Sequence, residues 1–167
     1  MLDRGDKVLF GVENRMATAL GDEIDVLAKA KRSLGSEYVP SEAEPYMSAP
    51  QTDYFRRLLL AWKKSILDAA AGTLQQLQDG PIREPDLNDR ASSETDWGIE
   101  LRTRDRQRKL IAKIDSALRR IEEGEYGYCE VSGEPIGLGR LVARPIATMT
   151  VEAQEAHERR EKVSRDD

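Results

Sequence analysis

The sequence predicts a mainly α-helical fold, in which a long antiparallel coiled-coil hairpin stands on a small globular base and is followed by a C-terminal helix. Three observations predict it. Charged residues are 34% of the 167-residue chain and aromatic residues only 5%, which suits long solvated helices with a narrow apolar seam. Two long stretches with heptad-spaced apolar residues flank the proline-containing segment Pro81–Ala91. A segment rich in glycine and proline follows the second stretch.

The first hairpin helix has a clear start in the sequence. Ser48-Ala49-Pro50-Gln51 fits a capping box, with Ser48 as the N-cap, Gln51 three residues on, and a proline in the first turn. We expect the helix to run to about Gln78, roughly 45 Å. Apolar and small residues at alternating spacings of four and three form its predicted seam: Phe55, Leu59, Trp62, Ile66, Ala69 and Thr73.

The second hairpin helix is predicted from about Ser93 to Glu123. Ser92 or Ser93 offers an N-cap, and Asp96 completes a capping box with Ser93. Gly124 ends the helix. Its seam is predicted at the base from Ile111, Ile114, Leu118 and Ile121, with Trp97 and Leu101 as apolar contacts nearer the tip.

Charge is distributed unevenly along this hairpin. Arg102–Lys113 holds six basic residues and one acidic residue, whereas Asp79–Glu100 holds seven acidic and two basic residues. The basic run is either an ordinary solvated helix face or a basic stem below an acidic tip. The second interpretation suits insertion into a partner with a patterned electrostatic surface, and it makes the tip the predicted working end.

We divide the chain into four parts. Residues 1–45 are an N-terminal extension, 46–123 the hairpin with its tip at 81–91, 124–149 the base, and 150–167 a C-terminal helix and tail. Within the extension, Gly21–Gly35 is either a short helix with Ile24, Leu27 and Ala28 on its apolar face or part of a mobile tail. Tyr38–Tyr46 is predicted to be an extended linker. Thr150 is expected to cap the last helix, which should fray after Ser164.

The base contains half of a metal-binding pattern. Cys129-Glu130-Val131-Ser132-Gly133 has the shape of a zinc knuckle, so the base is zinc-finger-like, but the four positions of a complete site are Cys129, Ser132, Thr150 and Ala153. One thiol, two hydroxyls and an alanine make no structural zinc site, since zinc favours thiolate and imidazole ligands. No bound zinc is expected. His157 is either a stray ligand or an exposed helix residue, and a redox-sensing Cys129 stays open.

Composition excludes several functional classes. The net charge of −5 argues against a general nucleic-acid binder. A single cysteine permits no intrachain disulfide and favours a reducing cytoplasm. No run is long and apolar enough for a membrane span, and acidic residues interrupt the apolar patch Val8–Val12, unlike a secretory signal. No nucleophile–base pair or phosphate loop indicates an enzyme.

Four segments together resemble one known family. They are YFRRLLLAWKKSIL (Tyr54–Leu67), PDLNDRAS (Pro85–Ser92), ELRTRDRQRKLIAKID (Glu100–Asp115) and GEYGYCEVSGEPIGLGRLVARPIAT (Gly124–Thr148). On these residues the chain resembles the DksA/TraR family of bacterial transcription factors, specifically its DksA branch. The resemblance runs from about Tyr46 to Lys162 and does not extend to residues 1–45.

The resemblance implies a function and its partners. Members bind bacterial RNA polymerase, insert the hairpin into its secondary channel and destabilise open complexes. They act in the stringent response with guanosine tetraphosphate (ppGpp), an effector bound together with the polymerase. We therefore expect a cytoplasmic, monomeric transcription regulator that reads no specific DNA sequence, binds no membrane and is not an enzyme.

The resemblance also implies site residues. The family's tip pattern D-x-x-D-x-A is complete here as Asp86, Asp89 and Ala91, although Asp89 also suits a helix cap. The ppGpp positions correspond to Lys113 and Arg144, and cations there suit a dense polyanion. Another functional basic position on the stem corresponds to Arg106.

Two departures from the family pattern matter. The four cysteines of typical members correspond to Cys129, Ser132, Thr150 and Ala153, so the chain resembles the cysteine-poor members that fold without zinc. Gln154 stands where well-studied members carry a basic residue, which leaves the strength of ppGpp coupling open. The base must be held by packing, for which the candidates are Tyr126, Tyr128, Ile136, Leu138, Leu141 and Val142.

Two alternative functions are weighed against the channel regulator. A transcript-cleavage factor of the GreA type shares the hairpin and uses tip acids to hold magnesium, and a transcript-cleavage assay distinguishes it. A structural adaptor that merely docks its hairpin to a partner helix would be unaffected by charge-neutral substitutions at the tip.

Overall fold

The structure is a computed structural model that describes residues 23–35, 38–79 and 87–166, with side chains over 23–35, 38–72 and 98–163. Helix α1 spans residues 23–33, α2 Ala49–Asp79 and α3 Leu87–Glu123. Helix α4 spans Leu138–Ala143 and α5 Val151–Asp166. These ranges contain no β-strand, only an isolated antiparallel bridge between Tyr128 and Pro135. The predicted mainly α-helical fold is confirmed.

Helices α2 and α3 pack along most of the predicted seam. Phe55, Leu59, Trp62 and Ile66 of α2 and Ile114 and Ile121 of α3 are buried, while Ile111 and Leu118 are half-buried against them. Leu58 and Ala117 are also buried, which widens the seam beyond the predicted positions. An ion pair between Lys63 Nζ and Asp115 Oδ1 at 2.6 Å joins the two helices at the edge of the seam.

The apolar seam ends sooner than predicted. Ala69 is exposed and Leu101 is 57% exposed, so both predictions of seam contacts are wrong. At this level Ala69 lines a surface groove together with Thr103 and Gln107 of α3. Ile66 and Leu110 also line this groove, so the two helices leave Ala69 open to solvent there instead of closing over it. Thr73 and Trp97 lie outside the residues whose side chains the structure describes.

The two hydrogen bonds of the capping box predicted at the start of α2 do not form. Gln51 is buried, but its Oε1 accepts from the amide of Met47 at 2.9 Å and its Nε2 donates to the carbonyl of Ser41 at 2.9 Å. Ser48 Oγ is buried and makes no hydrogen bond within the described part of the chain. Gln51 therefore fixes the preceding turn rather than closing a box with Ser48.

Helix α3 begins at Leu87, six residues before the predicted start, so Ser92 and Ser93 lie inside it and do not cap it. Gly124 follows its last residue with a φ of 77°, as predicted for a helix stop. At the start of α5, Thr150 Oγ1 accepts from the amide of Ala153 at 3.2 Å, which confirms that cap. The helix continues to Asp166, past its predicted end near Val163, while the fraying expected after Ser164 stays a prediction.

Of the two interpretations of Gly21–Gly35, the structure has the helix. Leu27 of α1 is buried in the common core as predicted, together with Ala30, and Ala28 is half-buried. Ile24 is 58% exposed, so its predicted place on the apolar face is wrong. Lys31 Nζ donates to the carbonyl of Val142 at 2.6 Å, which fastens α1 to the base. Residues 38–48 carry turns without helix or strand. Within them, the Tyr46 hydroxyl donates a hydrogen bond to the base, where the carbonyls of Gly127 and Ile136 lie within reach.

The base packs on the lower end of the hairpin. Tyr126, Ile136, Leu138 and Leu141 are buried as predicted, and Val142 is half-buried. The Tyr126 hydroxyl donates to the carbonyl of Pro145 at 2.7 Å. Tyr128 is 36% exposed, and its ring lies edge-on to Tyr46 at 5.7 Å between centroids. None of the helices in the described ranges has the length and hydropathy to cross a membrane.

Candidate functional site

A cleft of about 580 Å³ lies where α3, the base and α5 meet. Three cationic side chains line it, two carboxylates lie among them, and Gln154 completes its polar wall. The charged residues are Lys113, Arg140, Arg144, Glu130 and Glu158. The cleft therefore combines an excess of positive charge with acidic groups that divide it.

The cations reach this cleft from separate elements. Lys113 is exposed on α3 and directly precedes the buried Ile114, so the helix backbone beneath it is fixed by the seam. Arg144 follows α4, and its amide donates to the carbonyl of Arg140 at 2.7 Å. Arg140 is held in turn, because its Nε donates to the carbonyl of Met149 at 3.0 Å. The fold thus brings together the two predicted positions, Lys113 and Arg144.

The α5 side of the cleft is neutral and acidic. Gln154 Nε2 donates to Glu158 Oε1 at 2.9 Å, and both side chains line the cleft. The position where the family resemblance expects a cation instead holds an amide that steadies a carboxylate. This wall opposes a polyanion rather than attracting it.

The four positions of the metal pattern are close together but hold no metal-binding set. Burial alone would raise the pKa of the Cys129 thiol, but hydrogen bonds from the Ser132 hydroxyl and from the amides of Ser132, Thr150 and Val131 lower the pKa to about 7. The Thr150 hydroxyl is occupied by the amide of Ala153, and Ala153 has no donor atom. A zinc ion would find one thiolate and no second strong ligand, so these residues do not fit it.

Histidine supplies no replacement ligand. The side chain of His157 is exposed, with Nδ1 3.8 Å from Glu161 Oε1 on the same helix. Over the described ranges, no three His, Cys, Asp or Glu side chains come together as a metal site would require.

Arg106 lies apart from the cleft. Its exposed side chain places Nη2 3.4 Å from Thr103 Oγ1 and lines an apolar groove of about 350 Å³ between α1 and the hairpin. Ile66 and Leu110 form the floor of that groove together with Val26 of α1. The stem position and the cleft are therefore separate surfaces.

The tip residues fall at the limit of the described structure. Asp86 lies outside the described residues. Asp89 and Ala91 belong to the first turns of α3, and their side chains lie outside the described part. Because α3 begins at Leu87, Asp89 lies inside the helix and does not serve as its N-cap.

Comparison with known proteins decides the family. Residues 51–121 match the model for the DnaK suppressor protein DksA, N-terminal domain, and residues 124–159 match the prokaryotic dksA/traR C4-type zinc finger. An RNA polymerase-binding transcription factor DksA of Caulobacter vibrioides is 64% identical over 132 residues, which cover 79% of this chain and 93% of the relative. The chain belongs to the DksA/TraR family.

Other members of the DksA/TraR family support this placement. The RNA polymerase-binding transcription factor DksA of Escherichia coli K12 is 42% identical over 125 residues, covering 75% of this chain and 83% of the relative. The solved structure of transcription factor DksA2 from Pseudomonas aeruginosa matches with a TM-score of 0.64 and 40% identity, covering 84% of this chain and 98% of that one. The relatives are named as transcription factors and not as enzymes. The matched zinc-finger model is of the four-cysteine type, whereas this chain has a single cysteine.

Sequence reasoning missed three residues that shape these sites. Arg140 precedes Arg144 by four positions, so a helical spacing would have placed both on one face. Tyr46 and Arg120 both bind backbone carbonyls of the base. Neither carries a periodic signal, because their partners are distant main-chain atoms or lie in an irregular turn.

Proposed function

We propose that this protein binds bacterial RNA polymerase, inserts its hairpin into the secondary channel, destabilises open complexes and responds to ppGpp in the stringent response, without bound zinc. The single observation that carries the alarmone part is the shared cleft of Lys113 and Arg144. Relatives named as RNA polymerase-binding transcription factors support the polymerase part. The cytoplasm, where polymerase acts, is the proposed location.

The cleft suits the chemistry of ppGpp. The alarmone is a polyanion with two diphosphate groups, and guanidinium and ammonium groups are the side chains that bind such groups best. Lys113 and Arg144 are exposed, so their donors are free to meet a ligand that the polymerase holds from the other side. Glu130, Glu158 and Gln154 reduce the positive field. We propose that ppGpp coupling is present and weak.

The tip and stem roles rest on the family pattern. Asp86, Asp89 and Ala91 are the proposed acting residues inside the channel, where carboxylates reach basic groups near the active centre. Arg106, exposed on α3, is the proposed polymerase contact on the stem. Net negative charge over the chain fits a factor that approaches the enzyme rather than DNA.

A transcription assay with cleft variants tests the proposal. Lys113→Ala and Arg144→Ala should repress a ribosomal RNA promoter as wild type does without ppGpp, and should lose most of the additional repression that ppGpp causes. Lys109→Ala is the matched control, since it removes an exposed cation one turn away on α3 and outside the cleft. Equal responses to ppGpp in Lys109→Ala and Lys113→Ala would contradict the proposed ppGpp site. Cleavage of backtracked transcripts by wild type would contradict the proposed function and favour a transcript-cleavage factor.

A further inference from the structure

A buried arginine ties the base to the hairpin. Arg120, in the last turn of α3, is only 8% exposed. Its Nη2 donates to the carbonyl of Glu125 at 3.2 Å and to that of Tyr128, and Nη1 lies 3.4 Å from Glu130 Oε1. The Arg120 carbonyl accepts from the amides of Glu125 at 2.9 Å and Tyr126 at 3.1 Å. Side chain and backbone therefore hold the same turn.

Placing a guanidinium here is costly. A buried charge is tolerated only when hydrogen bonds and an opposite charge replace its water, and Nε of Arg120 is buried without a partner in the described part of the chain. Apolar residues of similar volume would fill the space without that cost. An apolar side chain at position 120 could not hydrogen-bond to the two carbonyls and the carboxylate. These three groups therefore explain why an arginine stands there.

The turn held by Arg120 is bonded onward to the segment before α5. The Glu130 amide donates to the carbonyl of Thr148 at 2.9 Å. This bond joins the chain around residues 129–132 to the chain around 148–153. In a four-cysteine site a metal ion would join those two segments.

We propose that Arg120 takes the place of the missing metal as the anchor of the base. Its guanidinium fixes the turn at Glu125–Glu130 directly to α3. That turn holds the segment before α5 through the main-chain bond from Glu130 to Thr148. The orientation of the base on the hairpin is then set by a hydrogen-bonded arginine instead of a metal cluster. This anchor is independent of ppGpp binding, so it stands or fails separately from the proposed function.

Hydrogen exchange of backbone amides in the full chain tests the anchor. Arg120→Met should lower the protection of the Tyr126, Cys129 and Glu130 amides by about tenfold or more, since charge-assisted bonds to two carbonyls are lost. Amides in the middle of α2 should stay unchanged. Arg119→Met, an exposed arginine at the preceding position, is the matched control and should leave the base protected. Equal protection in the two variants overturns the proposal.

Rebuilding the metal site tests the replacement itself. Ser132→Cys, Thr150→Cys and Ala153→Cys together complete four cysteines with Cys129. In the four-cysteine variant with one zinc ion bound, adding Arg120→Met should change the protection of the base amides by no more than about twofold. After the zinc is removed by a chelator, the same substitution should again lower that protection by about tenfold or more. The same loss with zinc bound overturns the proposal, since Arg120 would then be needed in either case.

A conservative substitution decides the question if Arg120→Met does not fold or the rebuilt chain takes up no zinc. Lysine keeps the charge but lacks the planar fork that reaches two carbonyls and a carboxylate at once. Arg120→Lys should therefore lose protection in the base while the hairpin stays protected. Protection equal to wild type contradicts the anchor.

Discussion

Gln154 donates its side-chain amide hydrogen to Glu158 at 2.9 Å, on the wall of the cleft that also holds Lys113 and Arg144. This pair is the structural reason to expect weak alarmone coupling. An amide at this position adds no charge, and it orders a carboxylate where a polyanion would approach. The first prediction follows from replacing it.

Gln154→Lys should make transcription more sensitive to ppGpp. The lysine ammonium adds one positive charge to the cleft, beside Glu158. The ppGpp concentration for half-maximal repression should therefore fall, on the order of tenfold for one added close charge pair. The measurement is a ppGpp titration in multi-round transcription. Gln154→Met, a neutral side chain of similar size, is the control. Similar titration midpoints for lysine and methionine would contradict the role of this wall.

The seam should be most sensitive where the two helices and the base meet. Ile114 is fully buried, so Ile114→Ala should lower the free energy of unfolding by about 2–5 kcal/mol through lost burial and a cavity. Leu60 is about half exposed on α2, and Leu60→Ala should cost less than about 1 kcal/mol. Urea unfolding followed by far-ultraviolet circular dichroism measures both. Equal costs would show that the seam is misassigned.

Alanine substitutions at Gly127 and Gly133 distinguish the cost of a steric clash from the cost of backbone strain. Both have positive φ, 92° and 71°, and a Cβ at Gly127 would lie 2.7 Å from Met47 Cγ, whereas at Gly133 it meets nothing within 4 Å. Gly133→Ala should cost about 1–2 kcal/mol of strain, and Gly127→Ala more. Adding Met47→Ala should recover part of the excess at Gly127. Thermal unfolding compares them, and a larger cost at Gly133 would refute the contact.

The thiol of Cys129 predicts a specific pH dependence of stability. Hydrogen bonds outweigh the effect of burial and lower its pKa in the folded chain from 9.0 to about 7, so between pH 7 and 9 the unfolded chain binds more protons than the folded chain. The stabilisation is therefore present at pH 9 and above and is lost as pH falls through 7. Wild type should gain stability over Cys129→Ser as pH rises from 7 to 9. A constant difference between the two proteins would contradict the lowered pKa.

The sequence predicted those parts of the fold that depend on regular spacing. Phe55, Trp62 and Ile114 repeat with the helix period, so their burial could be foreseen. Ala69 and Leu101 fit the same period, but a groove opens beside Ala69 and Leu101 is 57% exposed. The period alone does not reveal where the two helices stop packing closely. Ser48 satisfied a capping pattern, whereas Gln51 bonded to an earlier turn that the sequence could not place.

The candidate site was predictable to a smaller extent. Lys113 and Arg144 came from the family resemblance, and the structure adds that they share one cleft. Arg120 could not be predicted, because a basic residue near a helix end ordinarily stays in water. Its burial depends on main-chain carbonyls of a turn whose geometry is set by the rest of the base.

The most direct test of the central claim is multi-round transcription from a ribosomal RNA promoter with purified cognate polymerase and a zinc chelator present. Wild type is compared with Asp89→Asn, each with and without ppGpp. We predict repression by wild type that ppGpp deepens modestly, and loss of repression in Asp89→Asn. Equal repression by the two proteins would contradict the tip mechanism and favour a structural adaptor.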